Sequence, residues 1–97
     1  MKSHEAIYDD LITQLERIYQ SCEVNGKKCF LRSDGGLFAV DYIGSFGAFV
    51  IEYADNMIDA GLNRYEDGDL FYVADQDEKV LFQGIIQEIE GNLKPPF

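Results

Sequence analysis

His4 is the only histidine of the chain, and Cys22 and Cys29 are its only cysteines. A nucleophilic Ser, Cys or Thr needs a base held beside it, and His4 stands one residue into a helix start, close to a terminus that nothing in the sequence ties down. Two cysteines and one distant histidine leave a zinc site short of ligands. Carboxylates are the abundant reactive type, and paired they can act as acid and base or bind a divalent cation. Their densest cluster is Glu66-Asp67-Gly68-Asp69. A calcium loop of the EF-hand kind alternates its carboxylates and ends on a glutamate at position twelve, whereas here the apolar run Leu70-Phe71-Tyr72-Val73 begins at once. An acidic turn that keeps a strand edge soluble is the simpler reading. Gly35-Gly36 and Gly44-Ser45-Phe46-Gly47 connect strand to strand, so neither is a phosphate cradle backed by a helix N-terminus. The expectation is a protein without catalytic residues, metal or cofactor.

Charge says more than any motif. Eighteen acidic residues face eight Lys and Arg, for a formal charge of −10 and a pI near 4.2. That balance is the opposite of an electrostatic footprint for nucleic acid and argues against adhesion to anionic membrane; it favours a partner with a positive face. The acid is also unevenly placed. From Glu52 to Glu90 there are eleven acidic residues and two basic ones, while the first 51 residues are nearly balanced. Solubility through net charge accounts for a solvated acidic face. A docking patch accounts for it too, with the interleaved Tyr53, Tyr65, Phe71 and Tyr72 as desolvated anchors or, equally, as core.

These residues must be positioned by one domain, residues 1–97, because a chain of 97 residues builds one hydrophobic core rather than two. Hydrophobic content of 46% is enough for that core. No window reads as a signal peptide or a spanning helix, so a cytoplasmic protein is expected. Apolar positions at Ile7, Tyr8, Leu11, Ile12, Leu15, Ile18, Tyr19 and Cys22 step by three and four, which predicts a helix from Ser3, as N-cap, to Cys22. β-rich runs follow at Cys29–Arg32, Leu37–Ile43 and Phe46–Tyr53, with Gly44 and Gly47 signalling a tight turn and a candidate bulge. A short helix over Asp55–Tyr65, interrupted by Gly61, puts Asp55 and Asp59 on one face, where like charges cost folding a few tenths of a kcal/mol. After the Glu66–Asp69 turn comes a strand at Leu70–Val73. Asp75 and Glu78 have the form of a capping box for a last helix with Leu81, Phe82, Ile85, Ile86 and Ile89 inward, stopped by Gly91 and Pro95-Pro96. The fold class is α+β: a single antiparallel sheet of about four strands flanked by an N-terminal and a C-terminal helix, in the order α-β-β-β-(short α)-β-α.

Asn25-Gly26 between the cysteines has two readings. As a two-residue hairpin turn it sets Val24 against Lys27, Glu23 against Lys28 and Cys22 against Cys29, close enough for a disulfide. As the left-handed cap of the first helix it leaves two reduced thiols near the core edge. The helical pattern before it and a reducing compartment favour the cap.

The run Val50-Ile51-Glu52-Tyr53-Ala54-Asp55-Asn56, followed by Ala60-Gly61-Leu62-Asn63-Arg64-Tyr65-Glu66-Asp67-Gly68-Asp69-Leu70-Phe71, resembles small acidic immunity proteins of bacterial polymorphic-toxin systems of the Gram-positive type. The strong match covers about a quarter of the chain. Glu52, Tyr53, Glu66, Asp67 and Asp69 are the matching positions, and Gly61 inside the short helix departs from the pattern. The resemblance implies a cytosolic protein that binds and neutralises a cognate toxin, protecting the producer and its kin.

The leading expectation is therefore an immunity protein whose acidic surface, carried by Glu52, Tyr53, Asp55, Asp59, Tyr65, Glu66, Asp67 and Asp69, occludes a basic toxin domain. Second comes a small structural or regulatory subunit, a homodimer through an edge strand, with the acid discouraging stray pairing. A carboxylate enzyme with a divalent metal is third.

Overall fold

A computed structural model describes residues 3–73 and 77–91. The chain runs through α1 (His4–Ile18), β1 (Gln20–Val24), β2 (Lys27–Leu31), β3 (Leu37–Ile43), β4 (Ala48–Ala54), α2 (Met57–Gly61), β5 (Glu66–Tyr72) and α3 (Glu78–Gly91). The strands form one antiparallel sheet in the order β1-β2-β3-β4-β5, each beside its neighbour in sequence. The α+β class and the flanking terminal helices are as expected, with five strands where about four were expected.

The additional strand is β1, and it corrects the first helix. Ser3 caps α1 by accepting from the Ala6 amide at 3.1 Å, and Glu5 lies in the first turn. The helix ends at Ile18 instead of Cys22, because Tyr19 turns extended (φ −120°, ψ 149°) while its amide still reaches Leu15 O. Tyr19 then packs edge-on against Phe38, ring centroids 5.0 Å apart. Asn25 (φ 52°) and Gly26 (φ 80°) both occupy the left-handed region, the conformation a type I′ hairpin turn requires. So Asn25-Gly26 joins two strands and is not a helix cap. The ladder pairs Val24 with Lys27, Glu23 with Lys28 and Cys22 with Cys29, and pairing that buries Val24 and Cys29 outweighs a helical spacing that Tyr19 and Cys22 satisfied by coincidence.

One face of the sheet is covered by α1 and α3. Leu11 and Leu15 of α1 and Leu81, Phe82, Ile85 and Ile89 of α3 close over Phe30, Phe38, Val40, Phe49, Ile51, Tyr53 and Val73. Each large side chain fully buried there contributes about 1.5–3 kcal/mol. The Tyr8 hydroxyl donates to Val40 O at 2.7 Å, which fixes α1 on β3. Asp77 caps α3: its carboxylate accepts from the Lys79 amide at 2.9 Å and its carbonyl from Leu81 at 3.0 Å. The Asp75 of the expected capping box, and Pro95-Pro96, lie outside the described residues.

The opposite face is covered at one end by α2, where Val24, Cys29, Leu37, Ala39, Ala54 and Ala60 form a smaller core. Asn56 caps α2, accepting from the Asp59 amide at 2.9 Å, and Gly61 closes the helix instead of interrupting it. Asn63 (φ 58°) then reverses the chain. Asp55 precedes the cap, so the shared helical face expected for Asp55 and Asp59 does not exist. Glu66-Asp67-Gly68-Asp69 is likewise not a turn: these residues open β5, with Glu66 opposite Tyr53 and Asp67 opposite Glu52. The register slips between Val50 and Glu52, so the irregularity lies on the β4–β5 ladder and not at Gly44 or Gly47, which make the β3–β4 turn. Gly68 sits at that slip, where an added Cβ would stand 3.0 Å from Ile51 O and from the Tyr53 ring.

Candidate partner-binding site

Asp55, at the exit of β4, Asp59 on α2, and Tyr65 and Glu66 at the start of β5 are drawn to one place by the reversal at Asn63. With Tyr53 and Arg64 they line an open hollow of about 340 Å³. The expected residues Tyr53, Asp55, Asp59, Tyr65 and Glu66 thus converge, although they come from three different elements. Beside them α2 leaves Met57 and Ile58 exposed, with Leu62 just beyond, at 57%, 73% and 57% of their full accessible surface. A turn that short hides only Ala60.

The aromatic residues divide into support and surface. Tyr53 is 8% exposed; its hydroxyl donates to Glu88 O of α3 at 3.3 Å, and its ring lies 5.1 Å below the Arg32 guanidinium. It is the back wall of the hollow. Tyr65 is half-buried, with the Lys27 ammonium 4.8 Å over its ring and the Cys29 thiol 4.0 Å from its hydroxyl. Burial, and then the neighbouring thiol, push the Tyr65 phenol above its ordinary value. Phe71 packs into the main core, while Tyr72 is half-exposed on the edge strand.

Glu52 is not in the hollow. Its carboxylate accepts from Lys27 on the α2 side of the sheet, and the same ammonium donates to Asp41 at 2.9 Å. Asp41 and Glu52 thus share the one ammonium. Burial raises the Glu52 carboxyl and the neighbouring Asp41 raises it further, beyond what Lys27 offsets. Burial acts the same way on Asp41, but Glu52 and Lys27 together bring it below the usual range. Burial works against the Lys27 charge, yet the two carboxylates together hold it above the ordinary lysine value. Asp67 and Asp69 lie exposed on β5, along the sheet edge that leads away from the hollow.

Sequence reasoning did not find two polar clusters. Lys27 was read only as a hairpin residue, and its link to Asp41 and Glu52 needs the register of three strands. The second is Arg32, 4% exposed, paired with Asp34 at 3.2 Å inside a turn closed by bonds between Arg32 and Gly36 and between Gly36 and Asp34. A buried arginine beside a Ser-Asp-Gly-Gly turn leaves no sequence signature. His4, the one candidate base, is hydrogen-bonded to the Tyr42 hydroxyl and exposed. Among the described residues, no three His, Cys, Asp or Glu side chains gather as metal ligands, and no helix is long and apolar enough to cross a membrane.

Comparison with protein-family models, curated proteins and solved structures finds no match for this chain. Fold and geometry therefore define an α+β domain with an acidic hollow between α2 and β5.

Proposed function

We propose that the protein is a non-enzymatic immunity protein that binds a basic toxin domain in the cytoplasm through the α2–β5 surface. The observation that carries this reading is the meeting of Asp55, Asp59 and Glu66 in one hollow next to exposed Met57, Ile58 and Leu62. Acid steers a positive partner toward the surface, and the apolar side chains supply the contacts that become dry on docking. The sequence resemblance to acidic immunity proteins points the same way. Glu52 takes a supporting part, holding Lys27 over the Tyr65 ring, while Asp67 and Asp69 extend the acidic field along the edge.

Co-expression with the toxin encoded in the adjacent gene tests the proposal. Rescued growth together with a complex that survives size-exclusion chromatography is expected, and failure of both rejects it. A homodimeric regulatory subunit is less well supported at β5, where an antiparallel copy would bring Glu66, Asp67 and Asp69 against like charges. Sedimentation of the free protein as a stable dimer would reverse that preference.

A further inference from the structure

We propose that Cys22 and Cys29 are a reversible oxidation site, closing a cross-strand disulfide when the protein meets a small-molecule disulfide such as oxidised glutathione. The two residues are direct partners in the β1–β2 ladder, and both side chains belong to the cluster on the α2 side of the sheet. Both are free thiols. A two-residue turn makes its flanking residues a hydrogen-bonded pair, and the pair two positions further out is of the same kind. Cα atoms in such pairs stand about 5.5 Å apart, inside the roughly 4.4–6.8 Å that a disulfide spans. The turn at Asn25-Gly26 is held from outside as well, since the Asn25 amide donates to Gly61 O at 2.6 Å. The cysteines are therefore kept in register by α2 and not only by their own short loop.

Their environments divide the work. Cys22 is partly exposed and Cys29 fully buried. The Cys22 thiolate attacks one sulfur of the small disulfide, forming a mixed disulfide and expelling one thiolate, which takes up a proton. The Cys29 thiolate then attacks the Cys22 sulfur and expels the second thiolate, which is protonated in turn. Two protein thiols lose two electrons and two protons, and the small disulfide is reduced to two thiols. Closure also converts the thiol that now stands 4.0 Å from the Tyr65 hydroxyl into a disulfide sulfur, so the oxidation state reaches a residue that lines the acidic hollow. The oxidation itself does not depend on what binds there.

The test is intact-mass analysis of the full chain after equilibration in stepped ratios of reduced to oxidised glutathione and trapping with an alkylating reagent. A monomer that loses two hydrogens, takes no alkyl group and is restored by dithiothreitol is expected. In urea the half-closed point should shift toward more oxidising ratios by at least about tenfold, because the folded hairpin holds the sulfurs together. Cys29→Ala should accumulate a glutathione adduct at Cys22, while Cys22→Ser should leave Cys29 unmodified. If Cys29→Ala does not fold, the wild-type titration and Cys22→Ser decide. Full alkylation of both cysteines at oxidising ratios, closure only between chains, or the same half-closed point with and without urea would each overturn the assignment.

Discussion

Lys27 of β2 reaches across the whole of β3 to donate to Glu52 of β4, meeting Asp41 of β3 on the way. One ammonium thus ties three strands on the face that only α2 partly covers.

Replacing that ammonium isolates its contribution. Lys27→Met keeps the alkyl stem but leaves Asp41 and Glu52 facing each other. Since the Lys27 side chain is 31% exposed, water screens the pair, and the expected loss at pH 7 is about 1–2 kcal/mol. The pH dependence has a definite shape. The raised Lys27 gives stability that is complete below 10.5 and lost as pH rises through its higher folded value. The lowered Asp41 gives stability present above 3.8 and lost as pH falls through its folded value. In urea titrations the gap between wild type and variant should be widest on the neutral plateau and close at both ends. A gap independent of pH would show that packing, not charge, is lost.

Glu52→Gln should behave in the opposite way. The native state holds the Glu52 proton more tightly than the unfolded chain does, so its contribution is full below 4.5 and lost as pH rises through the elevated folded value. An amide keeps a donor toward Asp41 and an acceptor for Lys27 without the cost of ionisation. At pH 7 the variant should equal the wild type or exceed it by up to about 1 kcal/mol, with no advantage at pH 4. A loss above about 1 kcal/mol at pH 7 would contradict this.

Gly36→Ala probes the buried arginine. The added methyl would stand 2.5 Å from Arg32 Nη2, and the guanidinium cannot retreat while Asp34 and the Tyr53 ring hold it. Overpacking of this kind costs about 1–3 kcal/mol, or some 4–8 °C in Tm per kcal/mol for a domain of this size. A thermal melt unchanged from wild type would mean that the turn opens freely.

Asp55→Lys combined with Asp59→Lys reverses the acid at the hollow without touching core. Stability should stay within about 0.5 kcal/mol of wild type. Association with the toxin domain should slow by about tenfold at low salt and lose most of its salt dependence, read by stopped-flow mixing. Unchanged kinetics would assign these carboxylates to solubility alone.

Much of the layout was legible because its signals are local. Ser3 and the stripe through Leu15 define α1, the spacing from Leu81 to Ile89 defines α3, and alternation marks β3 and β4. β1 was hidden because Tyr19 and Cys22, three apart, prolong the helical stripe although they face opposite sides of the sheet, and Asn-Gly serves a helix cap and a type I′ turn equally well. Glu66–Asp69 read as a turn because Asp and Gly are poor strand formers, yet an edge strand tolerates them where one side faces water. At the site, charge counting located the acidic half and its tyrosines. It could not distinguish Glu52, which is turned to Lys27 across the sheet, from Asp55 and Asp59, because that difference depends on the β2–β3–β4 register and on where the chain goes after β4 ends at Ala54.

The sequential order of the sheet has a consequence for synthesis. Every strand pairs with one already made or next to emerge, so the meander can assemble hairpin by hairpin with little loop entropy to overcome. The helical layer has no such advantage: α3 follows all five strands, and until it docks, Phe49, Ile51 and Tyr53 have only α1 for cover. From β4 until α3 is made, the nascent chain therefore carries an open oily flank, and closing the core depends on the last helix arriving to shut it.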